Sequence, residues 1–425
     1  MSQMTTQTVP DTPAEKPPAR GLRGLVGWRR ILVLASVGLV VISLTRVITG
    51  ASDMSSSGAI SAALALAAPI ALAGLGGLWS ERAGVVNIGL EGMMIMGTWG
   101  AAFFAVHYGA WAGVLGAIGM GLIGGAIHAL ATVVFGVDHI VSGVALNLLG
   151  AGAAAYLATR TFSETGGTQS PSLPALPRLT ITPLSDALAD VEQGGIFILA
   201  DLASVLRALV TNLSILTVLV VVFLVLTWWL LWRTAFGLRL RSCGESPVAA
   251  ETLGVNVLRY KFIAVLISGG LAGLGGGFLA MVASNLYREG QTGGRGYIGL
   301  AAMIFGNWRP GGLAAGSGLF GYADAVNLRG GGNIVRAYLL PFAVFLLIWG
   351  LWSLWRHRNG KRVIGVVSVV MAAVVFAWFA LTSTFPRELT GMTPYLATLI
   401  VLAFASQRLR MPKADGVVYR KGEAS

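Results

Sequence analysis

The feature that most constrains this chain is a long stretch that carries almost no charge. Between Arg82 and Asp138 the only Asp, Glu, Lys or Arg side chain is that of Glu91. About 20 apolar residues in a helix span the hydrocarbon core of a bilayer, so this stretch is long enough to cross it more than once. Charged residues make up 11% of the whole chain and its mean hydropathy is +0.75, whereas soluble domains carry about 25% charged residues. The sequence therefore predicts an integral membrane protein.

Apolar segments recur along the chain and are separated by short polar breaks. Counted with half-helices, about ten to twelve of them are long enough to enter the membrane, which predicts an all-α polytopic domain over residues 30–410. Residues 1–29 begin with a polar, proline-rich stretch and are expected to be a disordered cytoplasmic segment. The predicted segments are 31–50, 57–79, 85–106, 110–135, 139–160, 212–232, 262–283, 294–312, 311–328, 334–355, 363–383 and 393–407.

Basic clusters predict how these segments are oriented. They lie beside apolar runs at 20–30, 233–261, 356–362 and 408–421, as the positive-inside rule expects of cytoplasmic segments. Both termini, including the tail 411–425, are therefore predicted to be cytoplasmic.

The segment 161–211 differs because it is long, polar and leans acidic, so it is predicted to be an external loop. The net charge of +12 comes from clusters next to apolar segments, so nucleic acid is not expected as a partner. The single cysteine, Cys243, cannot form an internal disulfide, and the four histidines have no ligand spacing. No metal site and no cofactor are expected.

Glu91 is the residue whose surroundings most need an explanation. A charge at the centre of a membrane helix costs about 2.5 kcal/mol or more, so other groups must compensate this carboxylate. Asn87 lies four residues earlier, which is the same face of a helix, and glycines surround both residues. A glycine-interrupted membrane segment is typical of a transport pathway. Two roles stay open at this point, namely contact with a substrate and support of irregular backbone between helices.

A short internal similarity gives a second indication of transport. The sequence IGLEGMMIMG at 88–97 resembles IGLAAMIFG at 298–306, and the predicted orientation makes the two enter from opposite sides. This pattern predicts an inverted repeat with the pathway between its halves.

The stretch SERAGVVNIGLEGMM, residues 80–94, resembles the signature of permeases from bacterial ABC importers, in the nucleoside-type branch close to the simple-sugar and branched-chain amino acid permeases. The resemblance covers 57–328 and 393–423, whereas the interval 330–392 is longer than in that family and is interpreted as an extra hairpin. The other motifs that carry it are VDHIVSGVALNLL at 137–149, GESPVAAETLGVN at 244–256, SGGLAGLGGGFLA at 268–280, GRGYIGLAAMIFGNWRPGG at 294–312, PYLATLIVLAF at 394–404 and GVVYRKGE at 416–423.

This resemblance implies a type II importer-like fold and the transmembrane permease subunit of an ATP-driven importer for nucleosides, a multi-pass protein of the bacterial plasma membrane. Simple sugars or branched-chain amino acids are alternative substrates, and an ion-coupled secondary transporter is a less favoured alternative. The implied partners are a cytoplasmic ATPase, a second permease in a heterodimer and an extracytoplasmic substrate-binding lipoprotein. The chain is not expected to be an enzyme, because it has no G-x-x-x-x-G-K-[ST] phosphate-binding motif.

Two sets of candidate functional residues follow. The pathway candidates are Asn87, Glu91, Asn147 and Tyr297. The segment 244–256 resembles the family's coupling segment, which contacts the ATPase. A short helix is expected to begin at Pro247 and to end near Gly254. The coupling candidates are Glu245, Pro247, Ala249, Ala250, Glu251 and Gly254. Two membrane serines, Ser142 and Ser268, are expected to bond backbone groups between packed helices.

Overall fold

The computed structural model describes residues 23–329, 331–356, 362–383, 385–393, 399 and 409–422, and most of them are helical. Two short strands, β1 (Arg178–Leu179) and β2 (Leu213–Ser214), pair antiparallel. The helices are α1 (Arg23–Thr49), α2 (Ser57–Arg82), α3 (Leu90–Tyr108), α4 (Ala110–Ala129), α5 (His139–Thr161), α6 (Thr182–Gln193), α7 (Leu199–Ala208), α8 (Ile215–Arg233), α9 (Ala235–Glu245), α10 (Pro247–Thr252), α11 (Val257–Phe278), α12 (Arg295–Phe305), α13 (Pro310–Arg329), α14 (Gly331–Arg356), α15 (Arg362–Leu381) and α16 (Arg387–Thr390).

Seven helices in the described part of the chain are long and apolar enough to cross a membrane by length and composition. They are α2, α4, α5, α8, α11, α14 and α15, with α4 and α11 each extended by a π-helical turn. The prediction of an all-α polytopic membrane protein is confirmed. Predicted features at 1–22 and 357–361, and most of the predicted segment 393–407, lie outside the described residues. Below, the end of the bundle that carries α9 and α10 is called the α10 end, and the end that carries residues 162–214 is called the long-loop end.

Helices α2, α3 and α4 have counterparts in α11, α12 and α13. Helix α11 packs along α4 as α13 packs along α2, and α3 contacts α11 as α12 contacts α2. The half-helix α12 starts against the first turn of α3, where a Cβ atom on Gly296 would lie 2.6 Å from the Glu91 nitrogen. From this shared point, α3 runs toward the long-loop end and α12 toward the α10 end. This exchange of partners, with opposite directions, is the arrangement of an inverted repeat.

Small residues bring the two halves close together. A Cβ atom on Gly121 of α4 would lie 2.2 Å from the carbonyl oxygen of Gly269 in α11, and one on Gly273 would lie 2.3 Å from that of Ala117. Contacts of this kind hold helices together in lipid, where apolar transfer gives no driving force between them. They make α4 and α11 a rigid wall beside the start of α3.

The turn between α12 and α13 lies within the predicted segment 294–312. Helix α12 ends at Phe305, α13 begins at Pro310, and Asn307 and Trp308 between them have φ values of 56° and 52°. Within 330–392, helices α14 and α15 pack against each other and approach through Gly350 and Gly365.

Three predicted boundaries are wrong. Helix α1 begins at Arg23, so residues 23–29 of the segment predicted to be disordered are helical. The segment 85–106 is helical only from Leu90, so Asn87 precedes the helix and does not share a helical face with Glu91. Side chains from other helices bond this stretch of backbone and compete with helix formation there. Helix α11 begins at Val257, so the predicted loop 233–261 ends earlier and Lys261 lies within a helix.

Candidate functional site

The site is built around a break in the backbone between α2 and α3, residues 83–89. None of these seven residues is exposed, and Gly84 has a positive φ of 81°. Non-helical backbone at membrane depth must find hydrogen-bond partners in the protein, because lipid offers none. The partners of this break therefore show how the site is held.

Two histidines bond the middle of the break. The Val86 carbonyl oxygen lies 3.1 Å from His128 Nε2, and the Val86 N–H donates to His139 Nδ1 at 3.3 Å. A carbonyl can only accept, so His128 carries its proton on Nε2, and its Nδ1 accepts from Ser142 Oγ at 2.8 Å. Ser142 therefore orients His128 and does not bond backbone, so the expectation for this serine was wrong.

Asn87 points into the protein core. It is fully buried, its Oδ1 accepts from the Gly89 N–H at 3.0 Å, and its Nδ2 donates to Ser268 Oγ at 2.8 Å. Ser268 on α11 thus bonds a side chain, again contrary to the expectation of a backbone bond. These contacts stabilise the last turn of backbone before α3 begins.

Glu91 bonds the start of the other half-helix. Its Oε1 accepts from the Gly294 N–H at 2.9 Å and its Oε2 from the Gly296 N–H at 2.6 Å. These N–H groups belong to the first turn of α12, where a helix has unpaired donors and a partial positive charge. The carboxylate, only 6% exposed, is compensated in this way. Glu91 therefore joins the start of α3 to the start of the short helix α12.

Asn147 of α5 completes the cluster. Its Oδ1 accepts from the Gly92 N–H at 2.7 Å, and its Nδ2 donates to the Ile88 carbonyl at 3.0 Å and to the Tyr297 hydroxyl at 2.9 Å. Tyr297 is 46% exposed, so this end of the cluster reaches the surface of the chain. Of the four pathway candidates, the structure brings Glu91, Asn147 and Tyr297 together at the start of α12, where Glu91 is buried and Tyr297 is exposed, and it places Asn87 behind them.

The second set of candidates forms a short helix, as predicted. Helix α10 starts at Pro247 and is followed by Gly254 with a φ of 82°. Ala250 is buried against the bundle, whereas Leu253 is 84% exposed. The Glu251 carboxylate accepts from the Tyr419 hydroxyl of the tail. The other coupling candidates, Glu245 and Ala249, are exposed.

The sequence pattern did not single out Lys261, which the structure places beside the break. This side chain is 2% exposed, its Nζ donates to the Gly84 carbonyl at 3.2 Å, and it lies 5.9 Å from the centre of the Tyr419 ring. Its spacing was a usable signal, because Val257, Lys261 and Val265 recur every four residues and therefore share one helical face.

Comparisons with known proteins agree with this architecture. The chain is 32% identical over 371 residues to the guanosine ABC transporter permease protein NupQ of Bacillus subtilis, covering 86% of this chain and 97% of that protein. It is 31% identical over 362 residues to the nucleoside ABC transporter permease protein NupC of Lactococcus lactis, covering 84% and 94%. It is 36% identical over 275 residues to the putative glucose ABC transporter permease protein TsgC13 of Haloferax volcanii, covering 64% and 78%. No solved structure matches the chain.

The family comparison covers the helical core. A family model described as the permease component of branched-chain amino acid transport systems matches residues 59–349, from the start of α2 into α14. This range contains the break at 83–89 and the helices α3, α10 and α12. With its multi-pass helical architecture, the chain therefore belongs to the family of branched-chain amino acid transport system permease components.

Proposed function

We propose that this chain is the transmembrane permease subunit of an ATP-driven ABC importer that takes up nucleosides across the bacterial plasma membrane. The observation that carries the proposal is the similarity to NupQ and NupC, which extends over nearly the full length of both proteins. A shared motif alone would leave the substrate class open, but similarity over most of the chain favours a shared substrate class.

The geometry of the site supports solute transport. Helices α3 and α12 begin next to each other at one buried point. Glu91, Asn147 and Tyr297 cluster there, and at Tyr297 the cluster reaches the surface beside α5. The Tyr297 hydroxyl accepts from Asn147, so its own hydrogen can be donated to an acceptor on a solute. Its exposed ring offers a stacking face, which suits a nucleobase. We assign Tyr297 and Asn147 to the pathway, with Glu91 and Asn87 supporting the backbone.

Three surfaces suit the expected partners. The exposed side of α5 carries Val141, Leu148 and Tyr156, which are 62%, 72% and 64% exposed and suit a second, different permease facing the pathway. Helix α10, with Leu253 projecting, suits a groove on a separate ATPase. The long-loop end, with α6 and α7, suits an extracytoplasmic substrate-binding lipoprotein.

A sugar substrate is the second candidate, because TsgC13 has the higher identity of 36% over a smaller share of this chain. Uptake assays separate the candidates. Cells that lack the chain and cells in which it is restored, with its ATPase, second permease and receptor present, are given radiolabelled guanosine, and unlabelled nucleosides, glucose or leucine are tested as competitors. We expect nucleosides alone to compete. Competition by glucose or leucine would overturn the substrate assignment, and uptake driven by a proton gradient without ATP would overturn the importer assignment.

The proposed orientation places both termini, α9 and α10 in the cytoplasm and 161–211 outside. Cys243 is fully buried and burial raises the pKa of its thiol to about 11, so the natural chain has no reactive background for thiol labelling. Single cysteines at the exposed positions Lys413 and Glu164 should be labelled by an impermeant reagent only after cell lysis and in intact cells, respectively. Labelling of position 413 in intact cells would contradict this orientation.

A further inference from the structure

The described part of the tail, residues 409–422, lies against the α10 end of the bundle. The Ala414 N–H donates to the Gly244 carbonyl at 2.8 Å, and the Arg410 N–H donates to Asn307 Oδ1 at 2.7 Å. Ala414 is 9% exposed. The tail therefore packs on the end of α9 and on the turn between α12 and α13, where backbone bonds fix its path.

One tail residue touches both α10 and α11. The Tyr419 hydroxyl donates to the Glu251 carboxylate of α10, and its ring lies 5.9 Å from Lys261 Nζ. Burial and the adjacent Glu251 raise the pKa of Tyr419 to about 12, so the hydroxyl keeps its proton at physiological pH. Lys261 in turn donates to the Gly84 carbonyl at the start of the break. Four residues thus form a continuous path from α10 to residues 83–89.

A second contact joins the tail to the same point. A Cβ atom on Gly84 would lie 3.0 Å from the Ala414 carbonyl oxygen and 3.1 Å from the Gly244 Cα atom. The tail backbone, the end of α9 and the first residues of the break are therefore in direct contact. A displacement of α10 cannot leave the tail and the break unaffected, because close-packed groups transmit displacement.

The path needs the tail because α10 is poorly held without it. A helix of six residues is marginal by itself, and Ala250 is its one buried residue. Among the described residues no ion pair joins Glu251 to Lys261, and Tyr419 stands between these opposite charges. Its ring lies beside the positive charge of Lys261, and its hydroxyl donates to the negatively charged Glu251.

We propose that Tyr419 is a positioning residue that couples α10 to the break at 83–89, so that the tail links the ATPase-facing helix to the pathway. This inference rests on the proposed function, since it assumes that the ATPase acts on α10. It adds a role for the tail that is separate from docking the ATPase and from contacting substrate.

The test uses the full complex of both permeases, ATPase and receptor in liposomes, with Tyr419→Phe, Tyr419→Ala and a matched tail control at the exposed Lys413, Lys413→Ala. Nucleoside transported per ATP hydrolysed and the amount of ATPase that co-purifies are measured together. A hydrogen bond to a charged group is roughly twice as strong as one between neutral groups. We expect Tyr419→Phe, which removes this bond, to lower transport per ATP at least about threefold. Tyr419→Ala should lower it further, with ATPase co-purification within about twofold and Lys413→Ala unchanged.

A double-mutant cycle isolates the bond itself. Combining Tyr419→Phe with Glu251→Ala should cause no more loss than Glu251→Ala alone, because the same hydrogen bond is already absent. Fully additive losses, wild-type coupling in both Tyr419 variants, or loss of ATPase co-purification in Tyr419→Phe would each overturn the positioning role. Absence of ATP-driven uptake by the wild-type complex would instead overturn the proposed function, so the two failures are distinguishable.

Discussion

Helices α3 and α12 are each preceded by a non-helical stretch. The backbone groups of the two stretches find their hydrogen-bond partners in different ways. Residues 83–89, before α3, are all buried or half-buried and are bonded by side chains of α4, α5 and α11. Residues 284–294, before α12, lie at the long-loop end, where Ser284, Asn285 and Glu289 are exposed. There the backbone of residues 168–173 makes three bonds, for example from the Ser170 N–H to the Tyr287 carbonyl at 3.0 Å, and the Ser170 hydroxyl accepts from the Tyr287 N–H at 2.9 Å.

The difference follows from what each surrounding offers. Membrane helices use most of their backbone groups internally, so a break that is buried among them depends largely on their side chains. At the end of the bundle a neighbouring loop has free backbone groups and water can reach the rest. The repeat is therefore symmetric in its helices and asymmetric in its hydrogen bonds, and the buried stretch depends on individual side chains more strongly than the exposed one.

Removing Glu91 should have the largest effect, because it connects both stretches. Glu91→Leu leaves the N–H groups of Gly294 and Gly296 unpaired in a buried place, and each lost bond to a charged group costs about 1.5–3 kcal/mol. We expect membrane abundance to fall about tenfold or more. Glu91→Gln keeps one acceptor oxygen and should retain most abundance and uptake. A Gln variant that accumulates normally but does not transport would place Glu91 in contact with substrate.

Asn147 should come second, because it bonds the break from one side only. Asn147→Leu removes the partners of Gly92 N–H and of the Ile88 carbonyl, at about 1–3 kcal/mol for each buried group left unsatisfied. We expect a lower thermal midpoint of the purified chain and reduced uptake. The neighbouring Leu148→Ala is the control, since Leu148 is 72% exposed and should change the midpoint little. Equal effects of the two substitutions would contradict the role of Asn147.

A pair of serine variants compares the two stretches directly. Ser268→Ala leaves Asn87 Nδ2 without its 2.8 Å bond in a fully buried place, and about 1 kcal/mol of stability should be lost. Ser284→Ala removes a hydroxyl that lies 2.8 Å from the Leu279 and Leu286 carbonyl oxygens and can donate to one of them, in an exposed turn where water can replace it. Thermal unfolding should show a loss for Ser268→Ala several times that for Ser284→Ala. The reverse order would overturn the contrast between the stretches.

The smallest effect concerns pH at the α10 end, where the tail covers Gly84. Burial raises the pKa of Asp415 to about 7. The positive charges of Lys261 and Arg82 and a hydrogen bond with the Glu81 side chain act in the opposite direction and lower this pKa. A carboxyl whose pKa is raised by docking binds its proton more tightly when docked, so docking weakens as pH rises toward 7. Limited proteolysis of the tail should be about twofold faster at pH 8 than at pH 7, relative to Asp415→Asn, which cannot titrate. An identical pH profile for both chains would contradict this.

The sequence by itself determined the membrane class, the apolar segments and the short helix from Pro247, because these depend on local composition, proline and glycine. It also showed that Glu91 needs compensation and that 88–97 and 298–306 are related. It could not show that Asn87 turns into the core or that Lys261 is buried, because helix boundaries there shift by a few residues.

Only the tertiary structure decided which groups satisfy the break. The partners of Glu91 lie 203 and 205 residues away along the chain, and Tyr419 bonds Glu251 across 168 residues. Local pattern specifies that a buried carboxylate must be bonded, since its burial would otherwise be too costly. Which donors reach Glu91 depends on how α3 and α12 pack together, and which donor reaches Glu251 depends on how the tail packs. No local pattern contains that information.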